Sequence, residues 1–267
     1  MNFRFPWNRI DKERQVYLSY DDHRKNMGDI LSPMIANHFG SKKVKRISKR
    51  NCKRFEHYFM IGSILQRCTD KSIIWGSGII SKNSILDQKP KKVLAVRGPL
   101  TRKKLIEQNI ECPEIYGDPA LLLPEIYPDP GTTKKYKLGV IAHFNDKRDP
   151  WLKQQFLSSA DVKIIDIQNK NPLKVVDEML SCEKIISSSL HGIIVADAYN
   201  IPSIWVEFEH PFEDGHFKFQ DYFLSVGRIV KGPIAVESFQ NMNDILAAFE
   251  PYTIDIDLKL LKSSFPF

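Results

Sequence analysis

The sequence predicts an α/β chain folded as two halves, each an open parallel sheet covered by helices. Short apolar runs alternate with amphipathic stretches through the first half, a segment rich in proline and polar residues breaks the pattern, and the alternation then begins again. Length and composition agree. With 267 residues, 42% hydrophobic and 27% charged content and a mean hydropathy of −0.31, the chain can bury one large or two modest cores, which excludes a disordered or fibrous protein.

In the first half, residues 16–20 read as a strand and 28–39 as a helix. Residues 58–61, 73–75 and 93–96 read as further strands, and 99–109 as a helix whose Pro99 suits its first turn. Pro124, Pro128, Pro130 and Gly131 mark 124–137 as a linker, giving domains of residues 1–124 and 125–267, with the C-terminal tail expected to pack back on the first. In the second half, 138–142, 162–167, 184–187 and 203–206 read as strands, and 149–158, 172–181 and 190–200 as helices. There is no internal repeat and no low-complexity segment.

The charge is local. Of 39 basic residues, Lys42, Lys43, Lys45, Arg46, Lys49, Arg50, Lys53 and Arg54 fall together with no acid among them, and the other 31 face 32 acidic residues. A pI of 9.1 therefore reports one patch, which few aromatics and no nucleic-acid motif accompany, so nucleic acid is not the expected partner. Cys52, Cys68, Cys112 and Cys182 show no C-x-x-C pairing, which argues against a zinc site or a disulfide framework and points to a reducing compartment. Residues 1–7 lack a signal-like apolar run, and nothing approaches the roughly 18 apolar residues of a membrane span, so a cytoplasmic protein with at most peripheral membrane contact is expected.

Open parallel sheets bind ligands beyond the carboxyl ends of their strands. In this chain those ends carry Gly76-Ser77-Gly78, Arg97-Gly98-Pro99, His143, Ser188-Ser189-Leu190-His191 and Glu207, so a site in the cleft between the halves is expected. Ser188 or Ser189 can cap the helix that follows, whose first N–H groups make an anion site beside His191. His191 is then either a general acid or base next to a bound anion or a buried histidine satisfied by a carbonyl. Arg97 can hold a phosphate or carboxylate bidentately or pair with an acid on the surface. Asn26-Met27-Gly28-Asp29 leads into a helix, and Asp29 either binds a sugar hydroxyl or caps that helix. Gly76-Ser77-Gly78 lacks the full dinucleotide pattern.

Taken in order, Asn26 to Asp29, Gly76 to Gly78, Arg97 to Thr101, Gly117 to Leu122 and Ser187 to Trp205 resemble the polysaccharide pyruvyl transferase family. The resemblance implies two Rossmann-like domains in a GT-B-like arrangement, with the active site in the interdomain cleft, the acceptor on the first domain and phosphoenolpyruvate on the second. It implies transfer of the enolpyruvyl unit of phosphoenolpyruvate onto a sugar of a surface polysaccharide or its polyprenyl-diphosphate-linked precursor, as a ketal. Many members carry an arginine two residues before the histidine, where this chain has Ser189. Neutralisation of phosphate is then expected from Arg97 first, and from Arg228 or Lys218 next, although Lys218 also fits an ordinary amphipathic helix.

The implied roles are proton transfer for His191, anion binding for Arg97 and the N–H groups near Ser188 and Ser189, and acceptor orientation for Asp29 or Glu207. Asn26, Gly28, Gly76, Ser77, Gly78 and His143 complete the expected substrate-binding set. No cofactor and no obligatory metal are expected, because no cluster of hard ligands has a recognisable spacing. The rival readings are a nucleotide-sugar glycosyltransferase of the same architecture and a non-catalytic glycan or nucleic-acid binding module. The basic patch, on the acceptor side, suits weak docking to an anionic membrane surface worth about 3–5 kcal/mol; equal flotation with neutral and anionic liposomes would leave it a solvated loop.

Overall fold

The computed structural model describes residues 15–21, 26–156, 159–208 and 215–267; the expected helix end at 157–158 and residues 1–7 lie outside these. In the first half, β1 (Gln15–Leu18), β2 (Lys43–Arg46), β3 (His57–Phe59), β4 (Ser72–Trp75) and β5 (Lys92–Ala95) form a parallel sheet in the order β2-β1-β3-β4-β5. In the second, β6 (Tyr136–Ile141), β7 (Val162–Ile164), β8 (Cys182–Ser187), β9 (Ser203–Glu207) and β10 (Ile234–Ala235) form another, in the order β10-β9-β8-β6-β7. The α/β class with two parallel sheets is the one the sequence predicts.

Strands covered on both faces need apolar side chains on both. Ile73, Ile74 and Trp75 of β4 and Ile185 and Ile186 of β8 supply them, and all are buried. β2 departs from this rule. Its sequence Lys43-Val44-Lys45-Arg46 has one apolar residue, which explains why sequence reading found no strand there. Val44 pairs with Val16 of β1, while Lys43, Lys45 and Arg46 are exposed on what is, among the described residues, the edge of the sheet.

Helices fill the connections. α1 (Met27–Phe39) starts at Asn26, whose side chain accepts from the Gly28 N–H at 3.2 Å, and buries Met27, Leu31, Ile35 and Ala36. α2 (Pro99–Glu107) follows β5, and a 3-10 turn (Pro119–Leu122) runs into the short α3 (Leu123–Ile126). α4 (Pro150–Phe156), α5 (Pro172–Leu180), α6 (Leu190–Ala198) and α7 (Gly215–Ser225) serve the second sheet, followed by α8 (Met242–Ala247) and α9 (Leu258–Ser263). α6 is buried from Leu190 through Asp197, which is why its sequence shows no polar stripe.

Two features join the halves. α9 lies on the first sheet, where Trp75 Nε1 donates to the Leu261 carbonyl and the Ser264 hydroxyl, both at 3.0 Å, and Phe265 meets the Trp75 ring edge-on at 5.0 Å. A single apolar core also runs from Val16, Ile35 and Trp75 in one half to Ile185, Ile193 and Trp205 in the other. Among the described residues no helix is long and apolar enough to cross a membrane, and the four cysteines are free and buried.

Candidate active site

The turn from β8 into α6 is fastened from below. Ser188 Oγ donates to Asp146 Oδ2 at 2.6 Å and accepts from the His143 N–H at 2.8 Å, tying the turn to the loop that follows β6. Ser189 occupies the N-cap position by its backbone, yet its side chain makes no capping bond, so the first N–H groups of α6 receive no side-chain partner from it. Gly192 lets the helix press on β8, since a Cβ there would lie 2.3 Å from Ser187 Oγ.

His191, in that first turn, reaches out of the second half into the first. Its ring rests on Gly28 at the start of α1, so closely that a Cβ at position 28 would lie 2.1 Å from Nδ1. Nε2 faces Asp118 Oδ2 at 3.7 Å, beyond hydrogen-bond distance. Among the described residues Nε2 has no hydrogen-bond partner, although His191 is only 8% exposed. Asp118 is 1% exposed, and its Oδ1 accepts from the Ala120 N–H at 3.0 Å, capping the 3-10 turn and leaving Oδ2 toward the imidazole. Buried polar atoms without a partner are rare. One that sits at a helix N-terminus, facing a carboxylate across a gap, is disposed for proton transfer to a ligand that enters there. The backbone closes the same junction, with the Met27 N–H donating to the Ile167 carbonyl at 2.9 Å.

Arg97 is placed differently from the open anion clamp the sequence offers. It is 1% exposed, and its Nε donates to Asp221 Oδ2 at 3.0 Å, Nη2 to the Ile79 carbonyl at 2.7 Å and Nη1 to the Ser63 hydroxyl. Asp221, on α7, also accepts from the Thr101 N–H at 2.8 Å and the Thr101 hydroxyl at 2.6 Å. Gly98 makes this approach possible, because a Cβ there would stand 1.9 Å from the Asp221 carbonyl oxygen. Gly78 clears room for the guanidinium, and Gly76 (φ +88°) for Pro119, while Ser77 Oγ donates to the Gly62 carbonyl at 2.7 Å. This loop shapes a bed for Arg97, and Arg97 ties β5 and α2 to α7.

Lys218 lies one turn before Asp221 on α7. Burial first, and the charge of Arg97 second, pull its ammonium down to about 8, with Asp146 opposing them. Burial likewise raises the Asp146 carboxyl, against the hydrogen bond from Ser188. Glu207, at the end of β9, accepts from His216 Nε2 at 2.8 Å, and the Asn145 N–H lies 3.4 Å from His143 Nδ1.

The expected site residues therefore fall into groups. Gly28 and His191 are in contact at the junction, with Asn26 capping the same helix and Asp29 beside it, its Oδ1 3.3 Å from where a Gly62 Cβ would be. His143, Ser188, Ser189 and Glu207 stand at or just beyond the ends of β6, β8 and β9, and Lys218 shares charge interactions with Asp146. Arg228 is not brought to them. Its Nη1 donates to both Asp197 oxygens at 2.8 Å, its Nη2 to the Ser203 carbonyl at 2.9 Å, and its guanidinium lies 3.6 Å over the Tyr252 ring. Asp197 is at the far end of α6, six residues or about 9 Å along the axis from His191. Sequence reasoning assigned no role to Asp118, Asp146 or Asp221. The Gly117 to Leu122 motif could have flagged Asp118; nothing local marks the other two.

A family model described as polysaccharide pyruvyl transferase matches residues 38–210, more than half of the chain. The chain belongs to the polysaccharide pyruvyl transferase family. An uncharacterized protein of Acanthamoeba polyphaga mimivirus is 29% identical over 264 residues, covering 93% of this chain and 88% of that protein. The succinoglycan biosynthesis protein ExoV of Rhizobium meliloti (strain 1021) is 27% identical over 167 residues, covering 62% of this chain and 50% of ExoV. The pyruvyl transferase match takes in Arg97, Asp118, Ser188 and His191, whereas Gly28 and Asp29 precede it and Lys218 and Asp221 follow it.

Proposed function

We propose that this pyruvyl transferase moves the enolpyruvyl unit of phosphoenolpyruvate onto a sugar of a surface polysaccharide or its lipid-linked precursor, forming a pyruvate ketal and releasing phosphate. The observation that carries the reading is the buried, unpartnered Nε2 of His191 at the N-terminus of α6, set against Gly28 and facing Asp118. The name of ExoV supports a polysaccharide setting.

In this reading a proton held at His191 passes to the methylene carbon of phosphoenolpyruvate, leaving a cationic centre on its C2. One sugar hydroxyl adds there and gives up its proton, phosphate departs, and a second hydroxyl closes the ketal and gives up its own. The N–H groups at the start of α6 and the ammonium of Lys218 hold the phosphate and carboxylate, because the guanidinium of Arg97 already serves the protein. Arg97 then acts through Asp221, fixing α7 and with it Lys218. Asp29, the residue after Gly28 in the first turn of α1, orients the acceptor hydroxyl.

Incubation with phosphoenolpyruvate and a candidate glycan should release inorganic phosphate; release of a nucleoside diphosphate from a sugar donor instead overturns the reading. His191→Ala is expected to lower kcat by about 10²- to 10⁴-fold while circular dichroism stays unchanged. Near-normal turnover in that variant removes His191 from the mechanism.

A further inference from the structure

Ketal formation from an enol ester adds one proton to carbon and removes one from each of two sugar hydroxyls, so a second proton-accepting group beside His191 is called for. α7 presents one. His216 stands in its first turn, with Nε2 donating to Glu207 Oε1 at 2.8 Å. The imidazole meets the Trp205 ring edge to face at 5.0 Å, and Trp205 is itself stacked on Phe219 at 4.4 Å. A histidine fastened through one ring nitrogen to a carboxylate keeps its proton there and offers the other nitrogen as an acceptor. Among the described residues Nδ1 of His216 has no hydrogen-bond partner, and the side chain is half exposed. A held imidazole with one open nitrogen, backed by a carboxylate that stabilises the imidazolium once the proton arrives, is equipped as a general base.

The pair stands at the edge that carries the site. Trp205 pairs with Ser187 across β8 and β9, strands roughly 4.8 Å apart, so Glu207, two residues on, leaves β9 beside the turn that carries Ser188, Ser189 and His191. Asp221, five residues or about 7.5 Å further along α7 than His216, is bonded to Arg97 and Thr101 of the first half. His216 therefore lies where α7 begins its crossing between the halves, with Lys218 between the two anchors. The charged groups nearest the pair are Lys218 and Asp146, whose carboxyl is raised by burial first and by Asp149 and Glu207 after it, with Lys218 opposing them.

We infer that His216 is a second acid–base residue of the transfer, with Glu207 as its positioning residue. The inference rests on the pyruvyl-transfer reading. The first sugar hydroxyl passes its proton to Nδ1 as its oxygen bonds to C2 of the donor. The imidazolium returns that proton to the bridging oxygen as the C2–O bond breaks, and the bond pair leaves with the phosphate, which departs as the monohydrogen ion. The second hydroxyl adds to the cation that remains, and its proton goes to His191, replacing the one given to the methylene carbon. Both imidazoles end as they began.

Phosphate release from phosphoenolpyruvate with a pyruvate-free surface glycan, followed against pH, tests it. His216→Ala is expected to lower kcat by about 10²-fold, with added imidazole restoring part of the rate, a rescue that lost packing would not show. Wild-type kcat/KM is expected to fall on the acid side in step with the protonation of His216, followed by NMR of the free protein. Glu207→Gln removes a charge that favours the imidazolium, so the acid limb and the NMR titration should move to lower pH together. Near-normal kcat in His216→Ala overturns the inference and leaves the transferase reading standing. So does an acid limb that stays in place in both variants, even where turnover is low. No phosphate release by the wild type overturns the transferase reading, and this step with it.

Discussion

At the scale of single residues, Gly28 separates two effects of opposite sign. An alanine within a helix is usually more stable than glycine by about 1 kcal/mol. At position 28 the added methyl would overlap the His191 ring, and such overpacking costs about 1–3 kcal/mol. Gly28→Ala is therefore expected to lower both Tm and kcat; a rise in Tm with full activity would show that the ring is not seated there. Lys218 gives a pH signature. Its ammonium is cationic below about 8 and neutral above, because burial and Arg97 favour loss of the proton. If it holds the donor, kcat/KM for phosphoenolpyruvate falls as pH rises through about 8, and Lys218→Gln gives a low, flat profile across that range. An unchanged alkaline limb in Lys218→Gln removes the lysine from donor binding.

At the scale of elements, α7 is held to the N-terminus of α2 by Arg97, Asp221 and Thr101. Removing one partner of a buried ion pair leaves the other charge uncompensated, at a cost of about 3–5 kcal/mol. Arg97→Met should fall at the lower end, because the N–H and hydroxyl of Thr101 still hold Asp221. Chemical denaturation checks this, and a loss below about 1 kcal/mol would mean the pair contributes little. The same contact marks how far the sequence could be read. β4, β8 and α6 were legible because Ile73 to Trp75, Ile185 to Ser187 and the run after Leu190 carry their own periodicity or burial signal. The imidazole at the start of α6 was legible as well, from its place after a strand. Arg97 was legible as a residue at a strand end, but its partner is 124 positions away. No local pattern shows that α7 crosses to the other half, or that Gly98 has no side chain because a carbonyl of α7 lies against it.

At the scale of the whole molecule, the shared core and the docking of α9 on the first sheet make the halves mutually dependent. One cooperative thermal transition is expected, with calorimetric and van't Hoff enthalpies in agreement; two resolved transitions would show halves that fold alone. Among the described residues β2 is an edge of its sheet, and this bears on colloidal behaviour. A flat strand edge offers unpaired backbone groups on which another chain can build, and exposed lysines are a common guard against such pairing. Lys43, Lys45 and Arg46 line that edge over three of the four residues of β2. Part of the chain's basic character thus guards against aggregation, and neutralising Lys43 and Lys45 would cost solubility.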